Sequence, residues 1–235
     1  MTTQVEHRAS RPKGHKWFAA LFDRLSESHE RTFMREIRPR IVGGARGRVL
    51  EIGAGTGHSL PYYAGNKFEE LVISEPDPYM MRRLREKFAR ANIQATVVEA
   101  PAEELPFPDA SFDTVLSVHV LCSVADLPKG LSEVRRVLKP DGQFRFFDHV
   151  RSRNPIGAFA QDAVLPAWRW FGAGCHPNRD IAAAVEKVGF HLVEHERLRP
   201  FSVAQSAVIC AFSRPHVLES RRPSRKRLRV TSVIV

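Results

Sequence analysis

Between residues 48 and 213 short apolar runs alternate with stretches of helical period. RVLEI (48–52), ELVIS (70–74), ATVVE (95–99), DTVLSV (113–118) and QFRFFDH (143–149) each read as a buried strand. A helix is expected from about Pro78 to Ala91, with Met81, Leu84 and Phe88 on one face and Arg82, Arg83 and Arg85 elsewhere. A second is expected from about Leu127 to Leu138, stopped by the turn KPDG at 139–142. This alternation predicts a parallel sheet with helices on both faces. Two late strands, FHLVEHERL (190–198) and VAQSAVICAF (203–212), are separated by RPFS alone. Parallel neighbours need a crossover of a dozen or more residues, so this pair must be antiparallel. Residues 16–42 are helical in period, with Trp17, Phe18, Leu21, Phe22 and Leu25 apolar. That segment reads equally as a helix packed on the sheet and as a lid or membrane-surface face.

Charge divides the chain differently. The net charge of +10 is concentrated at the ends. Residues 1–48 carry 11 Lys/Arg against 5 Asp/Glu and residues 214–235 carry 7 against 1, so the stretch between is slightly acidic. The basic ends suit a peripheral contact with an anionic membrane. A nucleic-acid partner is not expected, because nothing in the tail ESRRPSRKRLR (219–229) reads bases, and a solvated, disordered tail is the plain reading. No apolar run approaches the roughly 20 residues that cross a bilayer, and the first residues lack the apolar core of a secretory signal. A cytoplasmic protein is expected. Cys122, Cys175 and Cys210 lie far apart and odd in number, so neither a disulfide framework nor a metal site is expected. Cys175 with His176 forms a possible reactive pair, and Cys122 reads as a small buried residue.

The chemistry centres on VLEIGAGTG (49–57). A phosphate-binding loop would need GxxxxGK[ST], and no lysine follows these glycines; the dinucleotide fingerprint would need a glycine where His58 stands. Gly53, Gly55 and Gly57 allow close backbone approach to a ligand, and Glu51 can accept a hydrogen bond from a cationic amine. The next strand ends in SEPDP, where Glu75, followed by Pro76, can accept hydrogen bonds from ribose hydroxyls. In PAEELPFPDASFDTV (101–115) a backbone amide near Ala102 can meet an adenine edge, with Glu103 nearby.

Together VLEIGAGTG, SEPDP, AEELPFPDASFDTV and EVRRVLKPDGQF resemble the class I S-adenosylmethionine-dependent methyltransferases, over about residues 45–213. The resemblance implies a Rossmann-like α/β fold, a seven-stranded, mostly parallel sheet of order 3-2-1-4-5-7-6 with helices on both faces. It divides the chain into a basic N-terminal helical segment or lid (1–44), the methyltransferase domain (45–213) and a basic tail (214–235). Within that superfamily VHVLCSVADL (118–127), FDHV (147–150) and QDAVLPAWRWFGAGCHPNR (161–179) are similar to small microsomal proteins that methylate alkyl thiols, and more distantly to ubiquinone/menaquinone C-methyltransferases. By that resemblance S-adenosyl-L-methionine is the cofactor. Glu51, Gly53, Ala54, Gly55 and Gly57 line its methionine end, Glu75 and Pro76 its ribose, Ala102 and Glu103 its adenine, and His119 lies near the methionine.

Two departures stand out. Pro101 occupies a position where the quinone enzymes carry an acid, and residues 1–48 are basic and amphipathic where the microsomal relatives carry a membrane anchor. Asp148, His149 and His119 are the catalytic candidates. Adjacent strand residues point to opposite faces, so at most one of Asp148 and His149 faces the pocket unless the strand has ended. The segment with Val164, Leu165, Trp168 and Trp170 is expected to roof a small lipophilic acceptor. A quinone, a lipid headgroup, a nucleic acid, or donor binding without catalysis are the alternatives.

Overall fold

The computed structural model describes residues 16–66, 68–91, 93–172, 174–197 and 208–215. Its strands are β1 (Gly47–Ile52), β2 (Phe68–Ser74), β3 (Thr96–Val98), β4 (Phe112–Val118), β5 (Leu138–His149), β6 (Phe190–Arg197) and β7 (Val208–Pro215). They form one sheet in the order β3-β2-β1-β4-β5-β7-β6. The first five pair in parallel, and β7 runs antiparallel to both β5 and β6. The RPFS link, residues 203–207 of the expected last strand, and the basic tail from 216 lie outside the described residues.

The strands alternate because both faces of the sheet are covered. Leu50, Ile52, Val115, Phe144 and Phe146 face one core, against α4 (Leu127–Val137) and α6 (Ile181–Lys187). Val49, Ile73, Leu116 and Phe147 face the other, against α2 (Met34–Val42) and α3 (Pro78–Phe88). Met34, Ile37, Ile41 and Val42 of α2 are buried in this second core. Helices start where the sequence supplies a short acceptor side chain at the cap. The Asp77 carboxylate accepts from the amides of Tyr79 and Met80, Asp126 from Lys129, and Asp180 from Ala183. Asn154 does the same for α5 (Pro155–Phe171).

Three boundaries differ from the sequence reading. The 16–42 segment is two helices, α1 (Lys16–Arg31) and α2, with a break at Thr32 and Phe33. Residues 139–142 do not end the element before β5. The strand starts at Leu138, and its register with β4 slips so that Leu138 faces Phe112 and Gln143 faces Thr114. Helix α6 was not expected, since seven residues offer too few turns for a period to show.

Candidate functional site

The carboxyl ends of β1, β2, β4 and β5 converge on one edge of the sheet, where ligands of open α/β folds sit. β1 delivers the glycine loop. The Ala54 amide donates to the Ser74 carbonyl at 3.1 Å, tying the loop to the end of β2. Gly53 and Gly55 both have positive φ, +60° and +58°, and differ in what they face. A Cβ at Gly53 would lie 2.6 Å from the Val120 side chain, so that glycine lets the β4 loop close on the β1 loop. A Cβ at Gly55 would meet nothing nearer than a Phe22 ring carbon at 4.0 Å. There the backbone is bare toward open space. Gly57 turns the chain against Leu60 and Leu84.

Glu75 crosses to this loop. Its Oε2 accepts from the Gly55 amide at 2.7 Å and its Oε1 from the Asp77 amide at 2.8 Å. Burial lifts its pKa to about 7, against the pull of those two amides and with a push from the Asp77 and Glu51 charges. Glu51 follows Val49 on the α2 face of β1 and is likewise buried. Its Oε2 makes no hydrogen bond, and burial raises its pKa although Ser59, Tyr63 and Arg38 lie near enough to oppose the rise. That oxygen is free to accept from a cationic or hydrogen-bonding ligand group.

Helix α1 lies over the glycine loop. Burial works against the Asp23 carboxylate, yet hydrogen bonds from Thr56 and Lys87 keep its pKa low. His58 approaches Asp23 at 3.2 Å and Ser26 at 3.3 Å, so the residue that breaks the dinucleotide fingerprint serves as a contact for α1. The Arg38 guanidinium grips Glu30 of α1 with two 2.7 Å hydrogen bonds and donates to Ser59 at 2.8 Å. The outer face of α1 leaves Trp17, Leu21 and Leu25 exposed, one turn apart.

The β4 and β5 ends make the other half of the edge. Asp148 is fully buried and accepts from four backbone amides, those of Val120, Leu121, Cys122 and His149, at 2.6–3.1 Å. Burial raises its pKa to about 6. It therefore anchors the β4 loop instead of projecting into a pocket. His149 lies on the opposite side, as strand alternation requires, and the β4 loop wraps the end of β5 so that Cys122 reaches it. The His149 Nδ1 is 3.5 Å from the sulfurs of both Cys122 and Cys175, which are themselves 3.2 Å apart. The three ligand atoms lie within 4.8 Å of one another. The Cys122 thiol and His149 draw the Cys175 pKa far down, and the same contact together with burial pushes that of Cys122 up. Burial opposes charge on His149, but the Cys175 sulfur raises its pKa overall.

Spacing along the chain did not show that these three side chains meet, since they stand 26 to 53 residues apart. Cys175 finds its partners there and not in His176, whose backbone amide instead donates to the Cys122 carbonyl at 2.8 Å.

His119 ends β4 at φ +59°, packed against Phe147, His149 and His29. Both ring nitrogens are buried without a partner. Burial and the neighbouring His149 hold its pKa well below the ordinary value, so the ring is neutral.

Residues 50–146 match the family model described as a methyltransferase domain. Human thiol S-methyltransferase TMT1B is 33% identical over 186 residues, covering 76% of this chain and 74% of the relative. Phosphatidylethanolamine N-methyltransferase of Cereibacter sphaeroides is 32% identical over 58% of this chain and 66% of its own length. A S-adenosylmethionine-dependent methyltransferase from Aquifex aeolicus shares the fold, with a TM-score of 0.59 at 16% identity over 86% of this chain and 98% of that one. The chain belongs to the class I S-adenosylmethionine-dependent methyltransferases.

In this methyltransferase, the unpartnered Glu51 oxygen, the buried Glu75 carboxylate and the bare backbone at Gly55 fit an adenosyl donor. Pro76 is half-buried between Glu75 and the cap of α3. Ala102, buried, packs beside Gly130 of α4. Glu103 accepts from the amides of Ala125 and Asp126 at 2.8 and 3.2 Å, joining the loops after β3 and β4. Of the α5 residues, Val164 is largely exposed and Trp168 half-buried. Sequence reasoning missed Asp23, Arg38, Thr56 and the joint role of Cys122 and Cys175. A polar residue at a helix position, or a cysteine 53 residues from its partner, carries no local mark.

Proposed function

We propose that this methyltransferase transfers a methyl group to a small lipophilic thiol. The observation that carries the reading is the makeup of the β4–β5 end. Its carboxylate, Asp148, is held by four backbone amides, and what remains is sulfur, imidazole and the apolar side chains of Val120 and Phe147. An amine, phenol or carbon acid needs definite base catalysis, whereas a thiol with an ordinary pKa of about 8.5 ionises with modest help. The identity with human thiol S-methyltransferase supports the same acceptor class.

On this reading S-adenosylmethionine supplies, when bound, an electrophilic methyl group on a sulfonium. Glu75 holds the ribose hydroxyls and Glu51 the ammonium of the methionine end. Gly53, Ala54, Gly55 and Gly57 let the backbone approach that end. Helix α1, latched through Asp23 and Glu30, excludes water above the glycine loop, and in-line positioning supplies much of the acceleration. The exposed Trp17, Leu21 and Leu25 beside Lys16 and Arg24 support a peripheral contact with an anionic lipid surface, from which an apolar acceptor would arrive. Flotation with anionic vesicles, lost in a Trp17→Ser, Leu25→Ser double variant, tests that contact.

The acceptor is tested with methyl-labelled S-adenosylmethionine and a panel of an alkanethiol, an aryl thiol, phosphatidylethanolamine vesicles and a hydroquinone. Label in thioether alone is expected. Label in the lipid headgroup would overturn the thiol reading in favour of the phospholipid one, which the Cereibacter relative supports.

A further inference from the structure

We propose that Cys122, His149 and Cys175 form a three-ligand site for zinc whose open fourth position takes the acceptor's thiolate. The proposal rests on the thiol reading for its last clause and on geometry for the rest. Zinc bonds of about 2.3 Å to sulfur and about 2.0 Å to nitrogen place tetrahedral ligand atoms roughly 3.5–3.8 Å apart. The two sulfur–nitrogen separations are both 3.5 Å, and the sulfurs, at 3.2 Å, need to part by about half an ångström. Two soft thiols and one imidazole form a donor set for zinc and not for magnesium or calcium. Among the described residues the set holds three ligands. Structural zinc sites close with four protein ligands, and three with one position free is the pattern of sites where the metal meets substrate.

The triad is held from outside. Cys122 rides on the loop that Asp148 anchors through four amides, and the Arg179 guanidinium donates to the Leu121 and Val124 carbonyls of that same loop at 2.9 and 2.7 Å. Cys175 is tied in by its own amide, which donates to Gly172 at 3.0 Å, and by the His176 amide on the Cys122 carbonyl. Such outer contacts fix metal ligands before the metal arrives. The loop also places the site. Val120, two residues before Cys122, closes on Gly53, and the unpartnered His119 ring stacks 4.6 Å from His149. The triad's loop therefore touches the glycine loop through Val120, and a buried imidazole that lacks a hydrogen-bond partner packs on His149.

Zinc binding releases the protons of both cysteine thiols. At the open position the acceptor's S–H bond breaks, its proton goes to solvent, and the sulfur lone pair bonds the metal. In transfer that sulfur forms the new carbon–sulfur bond to the methyl group. The sulfonium carbon–sulfur bond breaks with its electron pair left on S-adenosylhomocysteine. The product is a neutral thioether, a weak ligand that dissociates, and no electrons are gained or lost overall.

The test uses the full chain, purified with reductant. Zinc is measured by atomic emission after dialysis, and cobalt(II) replaces it as a spectroscopic probe. The expected result is one equivalent per chain, with thiolate-to-cobalt absorption and the visible bands of a tetrahedral ion. Cys175→Ser and His149→Ala should bind at least 100-fold more weakly, while Cys175→His, which keeps a ligand, should recover most of the affinity. Thermal melts and S-adenosylmethionine titration check that each variant folds.

No stoichiometric metal, or unchanged binding in Cys175→Ser, overturns the site, as does a Cys122–Cys175 disulfide in the reduced preparation. An alkanethiol should shift the visible bands of the cobalt form, and bands that thiols leave unchanged overturn the open-position role. Bands that shift while no thioether forms with the zinc form leave the site standing and refute the thiol activity instead.

Discussion

The two halves of the site edge are built from different materials. On the β1–β2 side, backbone amides and buried carboxylates make the surface: Glu75 on the amides of Gly55 and Asp77, and Glu51 with an oxygen unused. On the β4–β5 side the carboxylate is turned inward as an anchor, and two buried sulfurs and an imidazole cluster beside it. The first half suits a polar, cationic, hydroxyl-bearing donor. The second is the half proposed to meet a soft, apolar acceptor. The same residue type, a buried acid at the end of a strand, meets two backbone amides in one half and four in the other.

Replacing Asp148 breaks the comparison hardest. Asp148→Ala strands four backbone N–H groups, at least two of them in buried residues, and should cost about 3–5 kcal/mol of stability, read as a lowered denaturant midpoint. If Asp148 were a pocket acid, activity would fall with the midpoint unmoved.

Glu75 gives the next largest effect, through pH. Its folded pKa, about 7, lies above the ordinary carboxylate value, so its protonated form favours the folded state. That contribution is complete below about pH 4.5 and is lost as pH rises through 7, an effect on the order of 3 kcal/mol in the ligand-free protein. Glu75→Gln should remove this part of the slope, while Glu51 and Asp148, whose raised pKa values act in the same sense, and His119, whose depressed pKa acts in the opposite sense, remain in both proteins. Donor affinity, which uses the ionised carboxylate, should rise over the same interval, and calorimetry at pH 6 and pH 8 reads it.

Gly53→Ala tests the contact between the halves. A methyl group 2.6 Å from Val120, at a φ of +60°, should cost about 1–3 kcal/mol and weaken the donor about tenfold. Gly53→Ala with Val120→Ala should recover part of the loss, because the clash is with that side chain. The smallest effect is at the latch. Asp23→Ala removes partly exposed contacts to Thr56, His58 and Lys87, and should cost about 1 kcal/mol. It should raise the KM for the donor severalfold and lower the melting temperature by about 2–4 °C.

Much of this protein is written locally. The five parallel strands follow from apolar runs of strand length, and the antiparallel end from a link too short for a crossover. The glycine loop and the SEPDP segment are each contiguous in the chain, and the structure brings them together through the Ala54 amide on the Ser74 carbonyl and the Gly55 amide on Glu75. The break between α1 and α2 left no such mark, because helical period continues through Thr32 and Phe33 while the chain does not. Helix α6 was too short to read. His58 illustrates the limit: in sequence it excludes a dinucleotide, and only the packing of α1 shows what it does instead.

The sequence by itself determined the fold class, through periodicity, and the class of reaction, through the resemblance of its contiguous motifs to a known family. Tertiary structure alone decided that Asp148 is an anchor, that Asp23 and Glu30 hold α1 over the loop, and that Cys122, His149 and Cys175 meet. Asp148 stands 26 to 28 positions from the β4-loop amides it holds, the triad's members 26 to 53 apart, and Asp23 33 and 64 from Thr56 and Lys87, and no local pattern constrains side chains across such distances. Their meeting is set by the order of strands in the sheet and by which loops cross its carboxyl edge.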